Sequence, residues 1–166
     1  MSAIYGHRLD ALPTLVWERL RRDVVMVGNM EADDRAGLRS AEITRALPDG
    51  FKALFLGNAR ALLEPFAPGL ELQDLQVTLT RDGGFFAEHQ DARFPGVEGR
   101  IVSFVYYLGD HDSFKGGLLR FATGETVGPV DNSLVVFDGL VEHQVTRVRG
   151  EGAVRLTVNG YYGEKP

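Results

Sequence analysis

Three side chains with the chemistry of metal ligands lie in the second half of the chain, and an arginine follows them. One residue separates His89 from Asp91, while His143 comes later in the chain and Arg155 follows it twelve residues on. Two imidazoles and one carboxylate hold iron(II) on one face and leave its other coordination positions open. The planar guanidinium of an arginine offers two parallel donors to a carboxylate. These four residues predict an iron site beside an anchor for an acidic cosubstrate.

Short strands must position these residues. The alternating run 75–80 and a Gly83-Gly84 turn precede His89, and the apolar run 134–137 precedes His143. Because alternate residues of a strand point to the same side, His89 and Asp91 are expected to face one way. The same alternation within 154–161 places four polar side chains on one face. They are Arg155, Thr157, Asn159 and Tyr161. This pattern predicts a strand whose polar face lines a pocket.

Each of these residues also has an ordinary structural explanation. A His-x-Asp pair often occurs by chance, and Asp91 is a good turn residue before Arg93. Tyr107 suits the interior of any strand, and most arginines like Arg155 form only surface ion pairs. These four features occur together and in this order along the chain, and it is their combination that favours a metal and cosubstrate site.

A series of short motifs runs through the chain. In order, they are His89-Gln90-Asp91, Tyr106-Tyr107-Leu108, Gly116-Gly117-Leu118-Leu119, Pro129 with the strand 133–137, His143-Gln144-Val145, and Arg155-Leu156-Thr157-Val158-Asn159-Gly160. In order and spacing, the stretch from about 39 to 162 resembles the prolyl 4-hydroxylase-like group of iron(II)/2-oxoglutarate oxygenases, and its last motif is similar to that of small bacterial members. The resemblance implies a mainly β fold, a double-stranded β-helix (a jelly-roll or cupin-like barrel), with N-terminal α-helices packed outside it.

The resemblance also implies roles for individual residues. His89, Asp91 and His143 would be the catalytic iron ligands, Arg155 would pair with the distal carboxylate of 2-oxoglutarate, and Tyr107 would donate to that carboxylate. The other expected cosubstrate contacts are Ser103, Val105 and Val145. Strand alternation adds the expected substrate contacts, which are Leu79, Phe86, Asn159, Tyr161 and the loop 92–99.

Two assignments near the second histidine have alternatives. The interval between His143 and Arg155 is slightly longer than is usual in the group, because residues 149–152 read as a longer hairpin turn. Arg149 is therefore an alternative anchor for the cosubstrate. Asp138 and Glu142 either orient His143 as hydrogen-bond acceptors or belong to a turn.

The implied activity is hydroxylation of an unactivated C–H bond of a small molecule or amino acid. It would be coupled to decarboxylation of 2-oxoglutarate to succinate and CO2, with iron(II), 2-oxoglutarate and O2 as cofactors. An intact Asp91 favours hydroxylation over halogenation, while desaturation or ring formation stays open. Phe86 and Tyr161 stand where many relatives have tyrosine and tryptophan, so substrate specificity does not transfer. The alternatives are a protein or peptide (prolyl-type) hydroxylase and a non-catalytic barrel that binds metal or 2-oxoglutarate.

Composition narrows the class of protein. The 166 residues, with 44% hydrophobic and 25% charged, suit one domain over 1–166, with helical support over about 1–68 and a β-barrel over about 70–163. The chain has no cysteine, which excludes disulfides and thiolate ligands. A net charge of −5 argues against nucleic acid as a partner. No apolar run long enough to cross a membrane and no secretory signal are evident, so we expect a cytoplasmic protein without a membrane partner.

The N-terminal third is expected to form the support. Apolar spacing predicts a helix after a cap at Asp10, with Pro13 in its first turn. A second helix is predicted over about 50–64, with Asp49 near its start. The β-branched run Val24–Val27 predicts a short strand between them.

Overall fold

The computed structural model describes residues 1–24, 30–35, 37–93, 99–109 and 111–165. Their helices are α1 (Thr14–Val24) and α2 (Asp49–Leu63). Their strands are β1 (Ile4–Arg8), β2 (Glu31–Ala32), β3 (Arg39–Ser40), β4 (Glu42–Thr44), β5 (Glu71–Arg81), β6 (Phe85–His89), β7 (Arg100–Tyr107), β8 (Leu119–Phe121), β9 (Thr126–Val127), β10 (Leu134–Asp138), β11 (His143–Val145) and β12 (Val154–Gly163). Short 3-10 helices span Glu64–Phe66, Asp91–Arg93 and His111–Ser113. The predicted mainly β class is confirmed.

The strands form two antiparallel sheets. The larger sheet has the order β1-β10-β7-β12-β5-β4-β2, and the smaller has the order β3-β6-β11-β8-β9. β12 lies inside the larger sheet, where it pairs with β5 along its whole length and with β7 from Thr157 to Gly163. Strands from the two ends of the sequence therefore meet in each sheet.

Both helices cover one face of the larger sheet. Phe55 of α2 is fully buried, and its ring centroid lies 6.0 Å from that of Phe104 and 5.5 Å from that of Tyr106. Leu20 of α1 belongs to the same buried cluster. The prediction that the helices pack outside the sheet is thus confirmed.

The other face of the larger sheet packs against the smaller sheet. Val105 and Tyr107 of β7 lie in a second buried cluster with Leu119 and Phe121 of β8. Because side chains alternate along β7, the neighbours of the residues that meet the helices point into the space between the sheets. That space holds the candidate site.

Two local predictions in the N-terminal third differ from the structure. α1 begins at Thr14, and Asp10 has a left-handed backbone (φ 47), so Asp10 does not cap the helix. Val24 ends α1 rather than starting a strand, and the rest of the predicted strand, 25–27, lies outside the described residues. The second helix begins at Asp49 and ends at Leu63, as expected from its pattern. No helix in the described ranges is long and apolar enough to span a membrane.

Replacing Phe55 tests the packing of α2 on the larger sheet. Phe55→Ala leaves a cavity against β7, so we expect the free energy of unfolding to fall by about 3–5 kcal/mol. Equilibrium urea unfolding measures this change. Leu15→Ala is the control, because Leu15 of α1 is 79% exposed and its loss should change stability by less than about 0.5 kcal/mol. Equal effects of the two substitutions would contradict the packing described here.

Candidate metal centre

Three potential metal ligands converge between the sheets. His89 is the last residue of β6, His143 is the first of β11, and the two are directly paired across the strands. The His89 Nε2 lies 3.3 Å from Asp91 Oδ1, and the His143 Nε2 lies 3.4 Å from Asp91 Oδ2. One ligand atom from each residue falls within 4.8 Å of the others. Metal–nitrogen and metal–oxygen bonds are roughly 2.0–2.2 Å long, so this donor set fits a single divalent ion.

Asp91 does not share a strand with His89. It starts the 3-10 turn Asp91–Arg93, and β6 has already ended at His89. The alternation argument for this pair is therefore wrong, although the two side chains do meet. A strand end followed by a tight turn brings them together.

Backbone carbonyls orient both imidazoles. The Nδ1 of His89 lies 2.8 Å from the carbonyl oxygen of Ala87, and the Nδ1 of His143 lies 2.9 Å from that of Val141. When Nδ1 donates to these carbonyls, Nε2 is left with a lone pair for a metal. The orientation of His143 thus comes from the backbone.

Asp91 carries the negative charge of the cluster and is buried. Its burial favours the neutral acid, but His143 and His89 outweigh it and hold the pKa of this carboxyl well below its usual range. Burial likewise opposes protonation of His143, and the Asp91 carboxylate raises the pKa of that imidazole above its ordinary value. Ser103 Oγ donates a 2.7 Å hydrogen bond to Asp91 Oδ2. The carboxylate is held ionised and fixed in place, as a metal ligand must be.

Arg155 and Tyr107 lie together beside this cluster. The Arg155 guanidinium carbon is 5.3 Å from the centre of the Tyr107 ring, and Arg155 Nε donates to the Gly117 carbonyl at 3.0 Å. Within the described part of the chain, Arg155 Nη2 and Tyr107 Oη are buried and have no hydrogen-bond partner outside this pair. Burial raises the pKa of Tyr107, and the charge of Arg155 and its hydrogen bond with the phenol oppose this shift, so the phenol keeps its proton. Two buried donor groups without a partner outside the pair fit an anion at this position.

Gly117 makes room for this arginine. Its backbone is left-handed (φ 64), and a Cβ atom there would lie 2.8 Å from Arg155 Cδ. A side chain at this position would therefore displace the guanidinium. The Gly-Gly pair of the sequence thus has a direct steric role at the site.

One cavity reaches from the three potential metal ligands to Arg155. Its empty volume is about 530 Å³, including the space open to solvent at its mouth. Its walls include the triad and six other residues for which the sequence predicted a role in binding or a position on the polar strand face. They are His89, Asp91, His143, Phe86, Val105, Val145, Arg155, Asn159 and Tyr161. Ser103 and Tyr107 do not line the cavity, but each contacts a residue that does, Asp91 and Arg155 respectively.

Leu79 is the predicted contact that the structure places elsewhere. It pairs with Leu156, whereas Thr78 pairs with Thr157 and Thr80 with Arg155. Directly paired residues share a face of the sheet, so Thr78 and Thr80 face the cavity and Leu79 faces away. Of the loop 92–99, positions 94–98 lie outside the described residues.

Several cavity residues were missed by sequence reasoning. The alternation Gln76-Thr78-Thr80 in β5 is a polar pattern that could have identified the two threonines. Arg39 comes from the two-residue strand β3, which is too short for a periodic signal. Phe137 lines the cavity from β10 and was visible only as part of an apolar run.

The structure also shows where the alternative residues near His143, Arg149 and Asp138, lie. Arg149 is exposed and bridges the backbone of Lys115, away from the cavity, whereas Arg155 is 3% exposed and lines it. Asp138 Oδ1 accepts a hydrogen bond from the Leu140 amide, as a turn residue does. The geometry favours Arg155 over Arg149 as the anion anchor.

Removing the Ser103 hydroxyl tests whether its hydrogen bond to Asp91 supports metal binding. Ser103→Ala should lower iron(II) affinity about 10–100-fold, because it frees the carboxylate to rotate. Anaerobic iron(II) titration of the apoprotein measures this affinity. Ser133→Ala is a matched control, since Ser133 is fully buried and donates to the Val130 carbonyl instead. If both variants bind iron equally well, Ser103 does not support the site.

Known proteins resemble this chain in sequence and in structure. An uncharacterized PKHD-type hydroxylase of Synechocystis sp. is 30% identical over 110 residues, covering 55% of this chain and 36% of that protein. The chain thus spans little more than a third of that relative's length. The crystal structure of a Pseudomonas putida prolyl-4-hydroxylase superposes with a TM-score of 0.68 at 25% identity, covering 97% of this chain and 92% of that one.

A further likeness concerns the fold alone. A prolyl hydroxylase from Trichoplax adhaerens, in complex with a hypoxia inducible factor oxygen degradation domain peptide fragment, has a TM-score of 0.75 at 14% identity. It covers 98% of this chain and 84% of that one. The predicted double-stranded β-helix class is confirmed by these superpositions.

The family model described as the 2OG-Fe(II) oxygenase superfamily matches residues 75–163, more than half of the chain. That range contains both histidines, Asp91, Tyr107 and Arg155. The cofactors of this family are iron(II), 2-oxoglutarate and O2. The chain belongs to the 2OG-Fe(II) oxygenase superfamily.

Proposed function

We propose that this chain is one domain that hydroxylates an unactivated C–H bond of a small molecule or amino acid and converts 2-oxoglutarate to succinate and CO2. The observation that carries the proposal is the pair of buried donors, Arg155 Nη2 and Tyr107 Oη, which have no partner outside the pair and lie next to the cavity that holds the metal-ligand cluster. Buried donors without partners are costly, so a ligand anion is the natural partner. The distal carboxylate of 2-oxoglutarate meets this requirement.

In this proposal, different residues bind iron(II) and 2-oxoglutarate. His89, Asp91 and His143 would hold iron(II), with both imidazoles fixed through Nδ1. Arg155 and Tyr107 would hold the far end of 2-oxoglutarate. Bound together, iron(II) and 2-oxoglutarate supply activation of O2 and, through oxidative decarboxylation, the oxidising power for C–H cleavage.

The apolar walls of the cavity exclude water from the reacting atoms. Val105, Leu119, Phe137 and Val145 line it beside the triad. A dry surrounding strengthens the electrostatic interactions of the buried charges and limits side reactions.

A peptide hydroxylase is the second candidate. It is favoured by the names of the two structural relatives, both prolyl hydroxylases, one of them bound to a peptide fragment. Measuring succinate release with free amino acids, with proline-containing peptides and without substrate separates the candidates. Stimulation by peptides alone would select the second candidate. Absence of any turnover from a protein that binds both cofactors would leave a non-catalytic barrel.

Cofactor binding is tested by anaerobic titration with iron(II) and then 2-oxoglutarate, which should produce a weak visible charge-transfer band. His143→Ala should abolish the band because it removes a metal ligand. Arg155→Ala should raise the 2-oxoglutarate concentration required about 10–100-fold, because a charge-assisted hydrogen-bond pair is lost.

Arg149→Ala is the matched control for this titration. Arg149 is exposed and was the alternative anchor, so its loss should leave the 2-oxoglutarate requirement unchanged. A folded wild-type protein that shows no band would sink the oxygenase proposal. A band that depends on Arg149 rather than Arg155 would reassign the anchor.

A further inference from the structure

A second buried arginine lines the same cavity from the opposite sheet. Arg39 of β3 pairs directly with Phe86 of β6, and its guanidinium carbon lies 4.5 Å from the centre of the Phe86 ring. Phe86 also stacks on the ring of His89, at 3.6 Å between centroids and nearly parallel. Arg39, Phe86 and His89 therefore form one continuous stack. The guanidinium is separated from the metal-ligand imidazole by a single aromatic ring.

The charge of Arg39 is only partly matched. Its Nη1 forms a 3.0 Å ion pair with Asp33 Oδ2, but the other oxygen of Asp33 accepts from Arg35 Nε, also at 3.0 Å. Asp33 therefore divides one carboxylate between two guanidinium groups. The Arg39 side chain is 8% exposed, and its Nε is buried without a hydrogen-bond partner in the described ranges. Burial also lowers the pKa of Arg39, against the raising effects of Tyr161 and Asp33.

Another arginine, Arg100, also stacks on an aromatic residue of the cavity wall. Arg100 stacks over Tyr161 at 3.5 Å, and Tyr161 lines the cavity. Arg100 and Arg45 both form ion pairs with the same oxygen of Asp74, each at 3.0 Å. The arginines that line the cavity itself are Arg39 and Arg155, on a chain whose net charge is −5. Buried guanidinium groups in a cavity attract an anionic ligand.

We propose that Arg39 binds a carboxylate of the substrate, so that the substrate is a small carboxylic acid, for which a free amino acid is the simplest case. This inference rests on the proposed function, in which Arg155 is already engaged with 2-oxoglutarate. A guanidinium is suited to this role, because its planar fork meets a carboxylate with parallel hydrogen bonds. The stack on Phe86 fixes the plane of the fork beside the metal centre. Specificity then comes from the N-terminal strand β3 and chemistry from β6, β11 and β12.

The test uses the protein loaded anaerobically with iron(II) and 2-oxoglutarate and measures how added compounds change the charge-transfer band. The probes are the common free L-amino acids, each compared with its carboxamide. In the wild type, at least one amino acid should change the band at a concentration about 10–100-fold lower than its carboxamide does. Arg39→Gln should remove this preference and leave the 2-oxoglutarate requirement unchanged. Arg81→Gln is the matched control, because Arg81 forms an exposed ion pair with Glu42 and faces away from the cavity.

Two further variants distinguish a loss of folding in Arg39→Gln from a loss of carboxylate binding. Among the described residues, Arg39→Gln leaves Asp33 paired with Arg35 alone. Asp33→Asn combined with Arg39→Gln replaces the ion pair between these two residues by neutral amides, and Arg39→Lys keeps the charge without the planar fork. The lysine variant should retain part of the preference. The double variant should lose it while remaining folded, as judged by its charge-transfer band.

The outcomes separate this inference from the proposed function. No band in the wild type defeats the proposed function and, with it, this inference. A normal band that no free amino acid changes, or that amino acids and carboxamides change alike, overturns the role of Arg39 alone. So does a preference that survives in the double variant. A 2-oxoglutarate requirement that rises in Arg39→Gln as it does in Arg155→Ala would assign Arg39 to the cosubstrate instead.

Discussion

The pairing of β12 with both β5 and β7 is the constraint on which the site depends. Arg155 lies opposite Thr80, Thr157 lies opposite both Thr78 and Tyr107, and this register sets which side chains share the inner face. A slip of one residue would turn Arg155 away from the cavity and replace it with an apolar neighbour. The long hydrogen-bonded ladders on both sides of β12 make such a slip costly. The register with β5 therefore fixes the backbone position of Arg155.

Burial of charge gives the cavity its chemical character. Asp91, Arg155 and Arg39 are all less than a tenth exposed, and isolated charges are expensive in such surroundings. Asp91 is compensated by two imidazoles and a hydroxyl, whereas each arginine retains a buried nitrogen without a partner among the described residues. These preorganised charges would favour a cation beside Asp91 and anions beside the two arginines. Such preorganisation is typical of enzymes that act through positioned charges.

The two sheets contribute differently to this site. The larger sheet, covered by helices on its outer face, supplies Arg155, Tyr107 and Ser103, which in the proposed function would face cosubstrate and metal. The smaller sheet supplies both histidines and, through β3, Arg39. In the proposed function, the 2-oxoglutarate anchor Arg155 and the substrate contact Arg39 would then lie on opposite walls, with both histidines on the same sheet as Arg39.

Sequence by itself determined the elements whose signal is local. The ligand spacing, the alternation in 154–161 and the apolar runs predicted the candidate metal ligands, the polar face of β12 and the mainly β class. It failed where the decisive contact was distant along the chain. Leu79 was misplaced because parity within one strand does not say which face is inner, and only the register with β12 shows that Thr78 and Thr80 face the cavity.

Ser103 and Arg39 show what tertiary structure alone decided. Ser103 was expected to line the cosubstrate pocket, but its contact is a turn twelve residues earlier, where Asp91 accepts its hydrogen bond. Arg39 lies in a strand of two residues, which carries no periodic pattern, and it enters the cavity only because β3 pairs with β6. Side-chain types and short-range spacing fix the available chemistry. Long-range strand pairing fixes which of those side chains meet, because contacts between distant residues are set by the packing of the whole chain.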